Sequence, residues 1–465
     1  MIWILTFLLL STGLLGAAPP DVSSVENLPD KQVTAPPSNT QPVDQNLQVS
    51  PPPLLALLPT ELPRYGATPQ VLSPFKGFSE PFWTFFQPDD LRLPERVAPP
   101  ADSSGEIPIG LLVSGTGSTM DRTSDHMHRG VTLAFEQFNR REDTGGRRVR
   151  LEVKLALPIW GAASNAMVDL CLRRKVKAVI GAVDAADSHI ALRVALKTEI
   201  PMINTATTDP TLTETGIPWI LRSCVDDRQY GYALALLAIR NRGLKRLALL
   251  RANNNYGRKG VPEFIDACRR LGRPIAMEMR FNPGTRDLEQ QIRFLEHVRA
   301  DGIVIWANPE DGAHIVRELR RLGLAVPLFG SSEIIDTLFL DLAGGDAEGL
   351  LAVTDLCQDE DDPTVREFKR SYQERFKEEA DAIAARAYDG ARILLDAVSA
   401  ARGDSHEIMN ALLKLKGQTV RGVLGDIRLD STLNNVGKVH VARVNNGKFV
   451  FIEPEEVIPA AGVDP

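Results

Sequence analysis

Three threonines, Thr205, Thr207 and Thr208, follow the short run Pro201-Met202-Ile203-Asn204. Hydroxyls grouped in a loop past an apolar run can donate to a carboxylate, and they can equally satisfy the turn's own backbone. Trp306 and Asn308 close a second run, Gly302-Ile303-Val304-Ile305, offering an apolar wall and an amide. Catalytic patterns are absent. The loop Gly115-Thr116-Gly117-Ser118-Thr119-Met120 lacks the third glycine of a dinucleotide fingerprint, and neither a G-x-x-x-x-G-K-[ST] loop nor a G-x-S-x-G elbow occurs. His126 and His128 stand two apart in or just before a helix, where such side chains point to different faces, so they are not read as a metal pair. Cys171, Cys224, Cys268 and Cys357 form no C-x-x-C pair, which leaves neither a thioredoxin-like site nor a zinc knuckle. They read as buried small hydrophobes, with a disulfide left open in an oxidising compartment. These residue types suit binding rather than turnover, and no cofactor is expected.

The elements that must position them alternate regularly. Short apolar runs over 107–113, 149–156, 178–181 and 201–204 are separated by helical patterns over 129–140, 162–174 and 188–198. A second series places strands over 246–251, 275–280, 302–306 and 326–330, with helices over 230–242, 260–271, 287–299 and 311–322. Continuous apolar strands between amphipathic helices mean parallel sheets covered on both faces. The predicted fold is therefore α/β, with two Rossmann-like lobes, and the loops beyond the strands' carboxyl ends should face a shared cleft. Helices over 363–377, 380–400 and 405–415 follow, then strands over 425–429, 439–444 and 448–452, with Asn445-Asn446-Gly447 as a hairpin turn.

The chain has 465 residues, 43% of them hydrophobic, which is ample for more than one core. Its net charge of -7 argues against a nucleic-acid partner. Residues 2–15 form an apolar run ending in Gly16-Ala17-Ala18, like the core and cleavage site of an export signal, although no Lys or Arg precedes it. It is shorter than the ~20 residues that span a bilayer, so cleavage is favoured over an uncleaved anchor. Residues 19–105 hold more than half of the chain's 32 prolines and read as a largely disordered linker. One aromatic island within it, residues 75–86, is read as docking on the folded body or on a partner.

Several motifs occur in a shared order: Ile107-Pro108-Ile109-Gly110, Thr116-Gly117 with Arg129-Gly130, Val179-Ile180-Gly181, and Asp209-Pro210-Thr211-Leu212. Arg222 with Asp226-Asp227, Asn255-Tyr256-Gly257 and Pro283-Gly284-Thr285-Arg286-Asp287-Leu288 continue the series. In this order they resemble the type I periplasmic solute-binding proteins, specifically the leucine/isoleucine/valine-binding receptors of ABC transporters. The resemblance implies a non-enzymatic, extracytoplasmic protein that closes on a small amino-acid-like or amide ligand and delivers it to an ABC permease. It also implies three crossings between lobes, with 106–226 and 355–433 in the first and 227–354 and 434–455 in the second. The competing readings are a ligand-sensing or protein-interaction module tethered by an uncleaved N-terminus, and a Rossmann-like enzyme.

The resemblance extends the site. Asp227 aligns with an acidic position for the ligand's ammonium, its alternative being a helix N-cap. Tyr256 would stack on the ligand, its alternative being packing on its own Asn-rich loop. Ser332 and Glu333 lie near a second acidic position. One departure stands out: where the family places a hydroxyl after the "viG" strand, this chain has Ala185. Either Ser188 substitutes or the ligand is not a standard α-amino acid, and Asp184 or Asp187 would repel a carboxylate and welcome a cation.

Overall fold

Every residue of the strand Gly302–Trp306 is buried, as expected of an apolar run with helices on both faces. It belongs to a computed structural model that describes Leu93 and residues 106–142, 147–356, 361–401 and 403–452. The expected export signal, the linker with its aromatic island, and Cys357 lie outside the described residues.

The first sheet comprises β1 (Glu106–Thr116), β2 (Thr119–Met120), β3 (Arg148–Ala156), β4 (Val179–Ile180), β5 (Met202–Asn204) and β6 (Ile220–Arg222). Strands run in the order β3-β1-β4-β5-β6, all parallel, and β2 folds back antiparallel on the end of β1. Helices α1 (Arg122–Arg140), α2 (Ala162–Val168), α3 (Ala185–Thr198) and α4 (Thr211–Glu214) connect them. After β6 the chain passes to α5 (Asp227–Leu236) and the second sheet, with β7 (Leu247–Ala252), α6 (Asn255–Arg270), β8 (Met277–Phe281), α7 (Glu289–Val298) and β9 (Gly302–Trp306). Then come α8 (Pro309–Arg321), β10 (Leu328–Gly330), α9 (Thr337–Ala343) and β11 (Leu351–Thr354).

Helices α10 (Pro363–Phe376), α11 (Ala382–Ala400) and α12 (Ser405–Leu413) return to the first sheet's core, as does the ribbon β12 (Thr419–Gly422) with β13 (Gly425–Arg428). Finally β14 (His440–Asn445) and β15 (Lys448–Ile452) add antiparallel strands to the second sheet, whose order is β15-β14-β11-β10-β9-β7-β8. Each sheet is thus sandwiched between two apolar cores. The mixed α/β class with two parallel-sheet cores is the predicted one.

Local chemistry explains the element ends. Helix α8 begins with Asn308 accepting from the Asp311 N–H at 2.8 Å, Pro309 at its first position, and acidic residues in its first turn. Helices α1 and α6 start furthest ahead of the apolar periodicity. Helix α1 opens at Arg122 because Asp121 caps it, accepting from Ser124 N–H at 2.7 Å, and α6 opens at Asn255 because Asn254 accepts from Gly257 N–H at 2.9 Å. Helices α1 and α11 cross so closely that a Cβ on Gly130 would lie 2.2 Å from the Ala384 carbonyl oxygen.

At the passage from β6 to α5 lies a buried ionic network. Arg222 donates to Asp226 at 3.0 Å and to Asn434 at 2.7 Å, while Arg228 donates to the same Asp226 oxygen at 2.7 Å and pairs with Glu214. Asn435 N–H donates to the Arg222 carbonyl at 3.1 Å, so the strand of chain leading to β14 is stitched to β6. Burying this many charges is tolerable only because they are matched and hydrogen-bonded. The result is a braced seam between the two sheets.

Candidate functional site

Beyond the carboxyl ends of the strands, between the sheets, lies a cavity of about 530 Å³. Thr207 and Thr208, after β5, line it from the first sheet, and Tyr256, Asn308, Ser332 and Glu333 line it from the second. Asp227 and Arg386 line it from the seam.

Asp227 is only 1% exposed, and neither carboxylate oxygen makes a hydrogen bond of good geometry among the described residues. The capping role that sequence allowed it belongs to its neighbour. Asp226 caps α5 and forms a capping box with Gln229, which leaves the Asp227 side chain to the cavity. Burial pushes the Asp227 carboxyl well above the usual range, against the Thr208 hydroxyl nearby and with Asp226, Asp209 and Glu333 adding repulsion. Glu333 is open to the cavity yet crowded by protein, and desolvation raises it to about 7.

Two ion pairs join the walls across the cavity. Arg122 at the start of α1 pairs with Asp336, which caps α9, and Lys259 of α6 lies 3.4 Å from Asp209 in the loop after β5. Although burial alone would raise Asp209, hydrogen bonds from His189 and Thr211 and the charge of Lys259 hold it far below the usual range. At the seam Arg386 donates to Asp355 at 2.7 Å and to the Tyr230 hydroxyl at 2.9 Å, all three being buried.

Three expected site residues stand behind the cavity wall instead of on it. Trp306 is fully buried, its ring 5.6 Å from that of Tyr256 and 6.4 Å from that of Phe264. It supports Tyr256, whose hydroxyl lies 3.4 Å from Ser332 Oγ. Thr205 turns toward α11, where a Cβ on Gly390 would meet its methyl at 2.4 Å. Ser188 is buried and bonded to Thr207 Oγ1 at 2.8 Å and to the Asn204 amide at 3.2 Å, so it does not take the place of the hydroxyl absent at Ala185. Thr207 is on the wall, but its hydroxyl is also engaged by the Val183 carbonyl at 3.0 Å.

Sequence reasoning missed Arg386, Arg122, Lys259 and Asp336. Arg386 carried a signal: it is a lone cation between Ala385 and Ala387 on the buried face of α11. His126 pairs with Asp381 at 2.5 Å, and among the described residues no group of three potential ligands could hold a metal. Cys171, Cys224 and Cys268 are buried free thiols. No described helix is long and apolar enough to cross a membrane.

Residues 106–448 match the family model described as periplasmic binding protein. The Leu/Ile/Val-binding protein homolog 2 of Brucella abortus is 25% identical over 346 residues, covering 72% of this chain and 89% of its own. The leucine-binding protein LivK of Thermotoga maritima superposes with a TM-score of 0.68 at 26% identity, covering 75% of this chain and 99% of that one. Glutamate receptor 3.1 of Oryza sativa subsp. japonica is 24% identical over 155 residues, a match spanning 33% of this chain and 16% of the receptor.

Proposed function

Because the chain belongs to the periplasmic binding protein family, we propose that it is an extracytoplasmic receptor that captures a small amine-bearing, amino-acid-like solute and hands it to an ABC-type permease. The lobes of this reading are 106–226 with 355–433, and 227–354 with 434–455, and the N-terminal segment directs export. The observation that carries it is the orphaned carboxylate of Asp227 on the wall of the cavity between the sheets. A buried charge without a partner is costly, and an incoming ammonium removes that cost.

Tyr256, backed by Trp306, offers the solute an aromatic face from the second lobe. Thr208 offers a hydroxyl from the first. Only a closed arrangement supplies both sets of contacts, so solute binding favours closure. The braced seam fits a pivot of this kind.

Thermal-shift measurement of the mature protein against the twenty amino acids and small amides tests the reading. A solute at ~100 times its dissociation constant should add ~2.7 kcal/mol of stability. The shift should vanish in Asp227→Asn. A panel that moves neither protein would refute amino-acid capture.

A further inference from the structure

The charges around the cavity are unevenly matched. Each cation that reaches it is already engaged: Arg122 by Asp336, Lys259 by Asp209 and Arg386 by Asp355. Of the carboxylates that line the cavity, Asp121, Asp184, Asp227, Glu310 and Glu333 form no ion pair among the described residues, and Asp121 and Asp184 are occupied as helix caps.

Most helix starts facing this space already carry a carboxylate, the exceptions being α6 and α8, which the neutral Asn254 and Asn308 cap. An uncapped N-terminus would attract an anion, yet Asp121, Asp184, Asp336 and Asp381 each cap the helix they precede with their own carboxylate. Few hydroxyls make up the difference, since Thr207 and Ser188 bond to each other and to the backbone and Ala185 has none, which leaves Thr208, itself beside Asp227, in the loop after β5. Asp227, almost fully buried and unpartnered, shows that the negative side of the balance is aimed inward.

Resting on the receptor reading above, we infer that the solute carries a net positive charge through two cationic groups, one held by Asp227 and the other by Glu333. Diamines and dibasic amino acids share this chemistry. Tyr256, whose environment includes both carboxylates, can lay its ring against the connecting chain or against a cationic end.

Isothermal titration of the mature protein at pH 8 with lysine, putrescine, leucine and glutamate tests this. Lysine, putrescine or both should bind at least about 30-fold more tightly than leucine, the factor expected when a buried charge pair loses one member, and glutamate should be silent. Putrescine alone assigns a diamine, and lysine alone a dibasic amino acid. Glu333→Gln, a substitution on the open wall, should lower the affinity for the cationic solute by about 30-fold or more while leaving the unfolding transition cooperative. Leucine binding as tightly as lysine and putrescine would overturn the inference and leave the receptor reading standing. Silence toward both cationic probes would also overturn it, and the broader amino-acid panel then judges the receptor reading separately.

Discussion

Arg386, in the first turn and a half of α11, meets Asp355, one residue past the end of β11, with its Nε 2.7 Å from Oδ1. The Val225 N–H contributes a 3.4 Å bond to the other Asp355 oxygen. Asp355→Ala leaves the buried guanidinium without its counter-charge, a change worth about 3–5 kcal/mol. Urea unfolding should register that loss. The double variant Asp355→Ala with Arg386→Met should recover part of it.

Asp227→Asn should act in the opposite direction on the empty protein. A carboxyl raised by burial contributes stability that is complete below its unfolded value and is lost as pH rises through the folded one. The asparagine variant should therefore match wild type below the ordinary carboxyl range and unfold at a progressively higher temperature than wild type as pH rises above that range, while losing solute binding. A variant less stable at high pH would mean that Asp227 has a partner.

Glu333 sets a narrower window. Its carboxyl, open to the cavity, is raised from 4.5 to about 7 by desolvation from the protein crowded around it, with Arg386 opposing and Glu310 and Asp336 reinforcing the rise. The empty protein should lose stability between those values as pH increases, and Glu333→Gln should flatten this part of the profile. Affinity for a cationic solute should rise over the same interval, because only the ionised carboxylate attracts it. Melting curves and titrations at half-unit steps of pH provide the check.

Gly260 is where the aromatic support meets the acid. A Cβ there would lie 2.4 Å from Trp306 Cζ2 and 2.8 Å from Asp227 Oδ2. Gly260→Ala should cost about 1–3 kcal/mol through overpacking. It should also weaken solute binding, measurable by calorimetry.

How much of this was legible in the sequence varies by element. Strand β9 and helix α8 stand out because a buried apolar run meets Asn308-Pro309-Glu310, a stop followed by a start. The openings of α1 and α6 are polar, and Pro262 lies inside α6, so apolar periodicity finds them late although their caps are present in the sequence. Of the site, the residues that end on strand tips or helix starts were readable: Thr207, Thr208, Asp227, Tyr256, Asn308, Ser332 and Glu333 all line the cavity. Trp306 was placed correctly on its strand, but its orientation depends on packing against Tyr256 and Phe264. Arg386 and Arg122 depend on contacts 31 and 214 positions away, which no local pattern encodes.

Capture between two jaws is tested most directly by a distance measured across them. Spin labels at Asn165 on α2 and Glu296 on α7 occupy exposed positions on helices that pack against the first and the second sheet respectively. Double electron–electron resonance should give a broad or long distance for the empty protein, contracting to a single shorter one with saturating lysine or leucine, whichever raises the melting temperature. The same solute should leave the distance unchanged in Asp227→Asn. A distribution that stays fixed in wild type while the solute is demonstrably bound would contradict capture by closure.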